Sequence, residues 1–391
     1  MRLRAAIIVA SLFSALAAGS LRAERSPVFG LDAFWAAVPP SNAVSTVFSP
    51  LAFEFNCATL GEGLAPLPKA AFIERLGVLT GWDDVYRPLM TRLDLMRTNG
   101  VEFLSARAFL IPRHRSMDLG YRSRVQQWFR VETCQIKGFR RGANSWFRAR
   151  MEGVREDFSI PEALSEMDAV AFYDLESIAF PWRDAFNTNA TSAGEFVRAD
   201  GVKTTVPFMR STRPAFRWRG RRFTLLELPM ADDARFFAML PAEGASVDSL
   251  RDEFSVEKFP YLLTVAGSMT ETGVENGECA VEVPRFALRS DVELIPVLKR
   301  IKLPHDGFTA FHAAGGVTSI VESVSFRLDE RGTVQTPVPA PAANAAAANL
   351  PRVRLERPFV FFIYHEPTRS IPVIGVYAGE TEVVESREGH Q

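Results

Sequence analysis

The residues from 334 to 350 constrain the fold most strongly. They are rich in Ala, Pro and Asn, show no apolar periodicity, and lie between two strand-like segments, "SVSFRL" and "PFVFFIY". Such a run cannot build core, and strand-like sequence follows it directly, so it does not separate two domains. A structureless loop of about 20 residues inside a compact domain is uncommon and usually functional. We therefore expect a compact fold that keeps one long loop exposed.

The order of periodic segments predicts an α+β fold. Amphipathic helical patterns dominate before residue 135, as in "KAAFIERLGVL", with a strand in "VEFLSARAFLIP". Strand patterns dominate later, in "AVAFYDLESIAF", "TTVPFM", "AFRWRG", "RFTLLELPM" and "RFFAMLP". Gly220 separates two alternating runs and predicts a hairpin there. Helices early and strands late do not fit a regularly alternating doubly wound sheet.

The first 23 residues have the composition of a secretory signal peptide. Arg2 and Arg4 precede an apolar stretch that ends at Ala18, and small residues follow, with cleavage acceptable after Gly19 or Ala23. The apolar stretch is shorter than the roughly 20 residues that cross a bilayer, so a membrane anchor is the weaker alternative. The sequon at Asn189 adds the expectation of a secreted glycoprotein.

Composition and motifs favour a binding or inhibitory protein over an enzyme. The net charge of −1 gives no global reason to expect a nucleic-acid or membrane partner. Catalytic and phosphate-binding motifs are absent, and the five histidines are scattered without metal-ligand spacing. We expect no catalytic residue, metal or cofactor. The three cysteines, Cys57, Cys134 and Cys279, have mostly apolar or strand-like neighbours and are expected to be buried free thiols.

Two groups of arginines could bind an anionic glycan, although a solvated face is the simpler interpretation. The first group lies on the expected hairpin, and the second flanks Trp146. Their members are Arg217, Arg219, Arg221 and Arg222, and Arg140, Arg141, Arg148 and Arg150.

Several motifs in a fixed order resemble the serpin family. They are "TVFSPLAFEFNCATLGEG", "ANSWFRARMEG", "FVRADGVKTTVPFM", "ELPMADDARFFAMLPAEG", "VEVPRFAL", "LDERGT" and "RPFVFFI". The resemblance implies one domain over residues 28–380, with three β-sheets, about eight or nine helices and an exposed reactive-centre loop at about 330–357. A polar tail at 381–391 follows this domain.

The resemblance also implies a mechanism in which a serine protease cleaves the loop, which then inserts into the central sheet and traps the acylated protease. Glu330, Gly332 and Thr333 match the family's hinge. The spacing from the hinge reaches Ala346 and the spacing back from Arg357 reaches Ala347, so both remain candidates for the reactive bond. A small apolar residue there is typical bait for an elastase-like enzyme.

Two departures from the family pattern speak against loop insertion. Pro337, Pro339 and Pro341 would remove three N–H donors from one flank of an inserted strand. At roughly 1–3 kcal/mol per unsatisfied partner, the penalty is about 3–9 kcal/mol.

The second departure concerns the cluster that controls sheet opening. Trp182 matches the family's tryptophan at the top of the main sheet, but Ala52, Glu176 and Glu322 replace the cluster's Ser, Asn and His. Two neighbouring carboxyls would repel or share a proton. A secreted, monomeric inhibitor is therefore one hypothesis, and a non-inhibitory serpin that acts as a binding protein, carrier or protease substrate is the alternative.

Overall fold

The computed structural model describes residues 29–38, 44–78, 81–98, 100–112, 114–136, 139–151, 170–267, 274–311, 316–331 and 350–379. The expected signal peptide at 1–23 and the tail at 381–391 lie outside these residues. Gly332, Thr333, the three prolines, Ala346 and Ala347 also lie outside them, so statements about those positions remain predictions.

Eight α-helices occur in the described residues, in agreement with the expected eight or nine. They are α1 (Gly30–Ala37), α2 (Pro50–Glu62), α3 (Pro66–Leu76), α4 (Trp82–Thr98), α5 (Leu119–Phe129), α6 (Phe139–Arg150), α7 (Phe259–Gly267) and α8 (Leu294–Arg300). Helix α2 begins where Ser49 accepts a hydrogen bond from the Ala52 N–H and Pro50 occupies the first helical position. No described helix is long and apolar enough to cross a membrane.

The described strands are β1 (Thr46–Phe48), β2 (Glu102–Pro112), β3 (Glu132–Ile136), β4 (Val170–Ala179), β5 (Ser192–Val197), β6 (Lys203–Arg219), β7 (Phe223–Pro229), β8 (Ala234–Pro241), β9 (Val274–Pro284), β10 (Phe286–Glu293), β11 (Val317–Leu328), β12 (Arg352–Arg354), β13 (Phe359–His365) and β14 (Ser370–Tyr377). Five of them form one sheet in the order β10-β11-β4-β2-β3. At its centre β11 and β4 run parallel, whereas β10 with β11 and β2 with β4 are antiparallel pairs.

The larger sheet has nine strands, in the order β1-β14-β13-β8-β7-β6-β9-β12 with β5 on the first part of β6. Strand β6 carries both β5 and β7, because its beginning pairs with β5 and its end pairs with β7. The sequence suggested two separate strands here, but the structure has one strand of 17 residues. Strand β6 therefore links two parts of the larger sheet. When these parts are counted separately, they and the five-stranded sheet make the three sheets that we expected.

Helices and strands together bury one large aromatic-rich core. Helix α2 is buried along nearly its whole length, and every residue of β13 and β14 is buried. Phe237 and Phe362 stack across neighbouring strands with ring centroids 4.6 Å apart. The α+β class and the Gly220 hairpin are therefore confirmed, the latter by a hydrogen bond from the Gly220 N–H to the Phe223 carbonyl.

Candidate functional site

The central parallel pair of the five-stranded sheet carries a row of charged residues. Glu322 on β11 lies opposite Asp174 on β4, and Asp174 lies opposite Arg107 on β2. Glu176 follows two residues after Asp174 and therefore points to the same face of the sheet. All four side chains are buried, and the three carboxyls are completely inaccessible to solvent. We call these four residues the acidic row.

Arg107 is the cation that holds the β4 side of the acidic row. Its Nε lies 2.9 Å from Asp174 Oδ2, and its Nη2 lies 2.6 Å from Glu176 Oε1. The guanidinium also stacks over the Phe55 ring of α2, with its carbon 4.6 Å from the ring centroid. One cation thus binds two acids on one strand and packs against the helix above them.

Glu322 on the other side of the pair is bound by the start of α2. The Ser49 N–H donates to Glu322 Oε1 at 2.9 Å, and Asn56 Nδ2 donates to Oε2 at 3.4 Å. A helix N-terminus favours a negative group. Ala52, which we expected in this cluster, lies on the same helix and is fully buried, but its methyl side chain adds no polar contact.

Burial raises the pKa values of all three carboxyls, and repulsion by neighbouring carboxylates adds to the shifts of Glu176 and Glu322. Desolvation followed by the charge of Asp174 raises the pKa of Glu176 to about 8. Desolvation, together with Asp174 and Glu176, raises the pKa of Glu322 well above its ordinary value. Burial likewise raises the pKa of Asp174, although Arg107 opposes the shift. The alternative that Glu176 and Glu322 repel or share a proton stays a prediction.

A second cluster fixes the end of β11, where the long loop begins. Glu330 is buried, and its Oε1 accepts hydrogen bonds from Thr191 Oγ1 at 2.6 Å and Arg285 Nη1 at 3.3 Å. The Glu330 carbonyl accepts from the Phe186 N–H at 3.2 Å. The only expected hinge residue that the structure describes is thus anchored by side chain and backbone.

Trp182 lies beside this anchor, at the same end of the sheet. The indole Nε1 of Trp182 donates to the Asp329 carbonyl at 2.7 Å, and its backbone N–H donates to the Arg331 carbonyl at 3.2 Å. The indole is fully buried and packs against Phe186, with ring centroids 5.2 Å apart. Trp182 and Glu330 therefore fix residues 329–331, where the chain leaves β11 and enters the loop.

The returning end of the loop is bound to the larger sheet. Strand β12 pairs with β9 in parallel, and its Arg352 and Arg354 both contact the buried carboxylate of Glu282. Arg210 on β6 also contacts Glu282, with Nε 3.1 Å from Oε2. Burial acts to raise the pKa of Glu282, but these guanidiniums together outweigh it and lower the pKa below its ordinary value. The loop therefore starts at one sheet and ends at the other.

A model of the family described as "Serpin (serine protease inhibitor)" matches residues 25–378. The chain belongs to the serpin family. Serpin B6 of Macaca fascicularis is 24% identical, over 86% of this chain and 94% of that protein. The structure also resembles native protease nexin-1 with heparin, with a TM-score of 0.75 and 17% identity, covering 91% of this chain and 98% of the other. Human thyroxine-binding globulin gives a TM-score of 0.71 with 16% identity and the same coverages.

The arginine groups of this serpin differ from the sequence expectation. Arg217 is wrongly placed in an exposed group, because it is buried and its Nη1 lies 3.8 Å from Cys279 Sγ. Arg217 and Arg219 share one face of β6, but Arg219 is the exposed last residue of the strand, whereas Arg217 is covered. Arg221 and Arg222 are exposed.

The arginines near Trp146 are partly neutralised. Exposed Arg150 pairs with Glu132 and stacks on the Trp146 ring at 5.3 Å, whereas Arg148 is exposed. The side chains of Arg140 and Arg141 lie outside what the structure describes. Local positive charge in this serpin is therefore smaller than a count of arginines indicates.

Sequence reasoning found the serpin's Glu176 and Glu322 but missed Arg107 and Asp174. Both missed residues interrupt apolar strands, in "LSARAFL" and "AFYDLES", and that interruption was the available signal. The three cysteines are free, with Cys57 and Cys279 buried and Cys134 half-buried. Within the described ranges, no group of three or more His, Cys, Asp or Glu side chains could hold a metal ion.

Proposed function

We propose that this serpin is a secreted, monomeric inhibitor of a serine protease and acts by inserting its cleaved loop between β4 and β11. The central pairing of these two strands is the observation that carries the proposal. They run parallel from Val317 opposite Val170 to Phe326 opposite Ile178, with one shift of register between Val317 and Ser319. A loop that leaves the end of β11 and folds back would run antiparallel to both strands.

Insertion would replace one parallel pairing by two antiparallel pairings. Antiparallel pairs are slightly more stable per residue, and the number of ladder hydrogen bonds roughly doubles. Fifteen residues, from 332 to 346, would be available to match the 12 residues of β11. Opening would also separate Glu322 from Asp174. The buried acidic row therefore supports a native sheet that is less stable than the inserted form.

The proposed bait is the Ala-rich segment, with the bond at Ala346 or Ala347 and an elastase-like target. Small apolar side chains in "NAAAAN" support this specificity. The signal-like first 23 residues support secretion, and exposed Asn189 supports glycosylation. The exposed pair Arg221 and Arg222 is the best remaining candidate for a glycan contact, although Arg222 already pairs with Glu253.

A non-inhibitory role as a binding protein, carrier or protease substrate is the second candidate. Pro337, Pro339 and Pro341 favour it, because each would deny a hydrogen bond to one neighbour of the inserted strand. The solved structure of a serpin with bound thyroxine shows that the fold also serves ligand binding. Under this candidate the loop is displayed and cleaved without insertion.

The two candidates differ after the loop is cut. The full mature chain should be incubated separately with elastase and trypsin, followed by SDS electrophoresis and a melting curve of the cleaved protein. An inhibitor gives an SDS-resistant complex and a melting temperature at least about 10 °C higher after cleavage. Clean turnover with an unchanged melting temperature would support the second candidate. Cleavage at Arg352 alone would refute the Ala-rich bait.

A matched variant makes the outcome interpretable. Thr333→Arg places a long charged side chain where the first inserted residue must enter the sheet, but it leaves the bait sequence intact. We expect this variant to be cleaved at the same bond, without a complex and without the rise in melting temperature. If wild type already behaves like Thr333→Arg, the loop does not insert.

A further inference from the structure

A small cavity of about 70 Å³ lies between α4 and β2, directly beside the acidic row. Its apolar wall is formed by Met90 and Leu93 from the helix and by Phe103 from the strand. Ser105 and Arg107 extend the strand side, because residues 103, 105 and 107 alternate onto the same face of β2. Ser105 is exposed, whereas Arg107 is only 3% exposed, so the cavity leads from solvent to a buried guanidinium.

The charged groups around the cavity are mostly cationic. Arg97 lies exposed at its rim, and Arg130 follows the end of α5. Asp94 is the one acidic side chain among the lining residues, and both of its oxygens are bound by Arg130 at 2.7 and 2.5 Å. Three guanidiniums therefore line the cavity, but Arg130 is paired with Asp94, and Arg107 is paired with Asp174 and Glu176 behind the wall. Exposed Arg97 at the rim is the cation that an anion entering the cavity would meet first.

The size and the walls restrict what kind of anion fits. The volume is about half of the roughly 150 Å³ of an apolar cavity that binds benzene, so a body of roughly two to four carbon atoms fits. The apolar wall suits an alkyl chain and disfavours a fully hydrated inorganic anion. A guanidinium matches a carboxylate in geometry as well as charge.

We propose that this cavity binds a small aliphatic monocarboxylate, with its alkyl group against Met90, Leu93 and Phe103 and its carboxylate toward Arg97 and Arg107. The site lies outside the reactive loop, and the proposal does not depend on whether the loop inserts. Arg107 also binds Asp174 and Glu176, so an occupied cavity competes for a cation that the acidic row uses. Ligand binding would therefore alter how Arg107 on β2 holds the two acids of β4, whether or not the loop inserts.

The test uses the full-length mature protein and sodium propionate at constant ionic strength. Saturation-transfer NMR and isothermal titration calorimetry measure binding. Three control probes each lack one required feature: 1-propanol has no charge, propylammonium chloride carries a positive charge on the alkyl chain, and sodium sulfate has no alkyl group. We expect saturable binding of propionate with a Kd on the order of 1 mM, as for a ligand of this size, and at least tenfold weaker binding of the other three.

Three variants locate the site. Arg97→Ala removes the exposed rim cation and should weaken propionate binding about tenfold. Ser105→Leu fills the mouth of the cavity and should abolish binding without removing a charge. Arg92→Ala is the control, because Arg92 is exposed on the same helix but does not line the cavity. Circular dichroism shows whether each variant is folded.

Two results would overturn the proposal. One is the absence of saturable propionate binding to the wild-type protein. The other is equal binding of propionate to Arg97→Ala and Arg92→Ala, which would place the anion elsewhere. Because Arg97→Ala changes an exposed side chain, it remains informative even if Ser105→Leu fails to fold.

Discussion

Glu322 on β11 and Asp174 on β4 are register partners across the central parallel pair, and both carboxyls are completely buried. The charge of Asp174 raises the pKa of Glu322, in addition to the larger effect of burial. Arg107 contacts Asp174, whereas Ser49 and Asn56 bind Glu322. The two sides of the pair are therefore held by separate partners, which is compatible with the proposed insertion between β4 and β11.

The first prediction concerns Glu322→Gln, which keeps the acceptor for the Ser49 N–H and removes the ionisable group. At pH 9 the wild-type carboxyl is more often ionised, so we expect the free energy of unfolding of the variant to exceed that of the wild-type protein by about 1–3 kcal/mol. At pH 6 the gain should shrink below about 1 kcal/mol, because protonated Glu322 resembles glutamine. Urea unfolding at both pH values measures this. Glu243→Gln, in an exposed turn, is the control, and equal gains at both pH values would contradict the prediction.

The second prediction is that stability falls as pH rises through the window set by Glu176. The pKa of this carboxyl is about 8 in the folded chain, above its ordinary value of 4.5, so the folded state binds the proton more tightly. Its contribution is complete below pH 4.5 and is lost progressively toward pH 8, at up to about 1.4 kcal/mol per pH unit. Glu176→Gln should flatten the slope of unfolding free energy between pH 6.5 and 8. An identical slope in wild type and variant would show that Glu176 is not the responsible group.

The third prediction concerns Thr191, which is both the partner of Glu330 and the third residue of the sequon at Asn189. Thr191→Val removes the hydroxyl that donates to Glu330, a hydrogen bond to a charged group worth about 1.5–3 kcal/mol. We expect faster hydrogen exchange of the Phe186 N–H, which donates to the Glu330 carbonyl. Asn189→Gln also destroys the sequon but leaves Thr191 in place, and it should exchange like wild type. The wild type and the two variants are all to be made without glycans, and similar protection of the Phe186 N–H in all three would argue against the anchor.

The fourth prediction concerns the three loop prolines. Replacing Pro337, Pro339 and Pro341 together by Ala restores three N–H donors and should add about 3–9 kcal/mol to the stability of the inserted form. We expect a larger rise in melting temperature after cleavage by elastase than the wild-type protein shows. Pro351→Ala, beyond the candidate bond, is the matched control. An unchanged rise in the triple variant would mean that the prolines do not limit insertion.

Local sequence pattern was sufficient to predict two of the strands and one turn. The strands around "VEFLSARAFLIP" and "RFTLLELP" and the turn at Gly220 follow directly from period and turn chemistry. Strand β6 was predicted as two pieces, because Arg210, Arg213 and Pro214 interrupt its apolar pattern. Continuous pairing with β9 from Phe208 to Trp218 carries the strand through that interruption.

The candidate site was only half predictable, because its contacts are distant in sequence. Arg107 and Asp174 are 67 residues apart, and Ser49 and Glu322 are 273 residues apart. A charge inside an apolar strand indicates an ion pair, but the pattern does not identify the partner. Family position suggested Glu176 and Glu322, and only the sheet register brought them together with Asp174 and Arg107.

The C-terminal strands have a further consequence for the cleaved molecule. A cut at Ala346 or Ala347 divides the chain so that β12, β13 and β14 belong to the shorter piece. Strand β13 lies between β8 and β14, and β12 is tied to β9 through Arg352 and Glu282. The shorter piece is therefore an interior part of the larger sheet and does not leave as a free peptide. The nicked product is a two-chain protein that gel filtration should elute as one particle and that only a denaturant should divide.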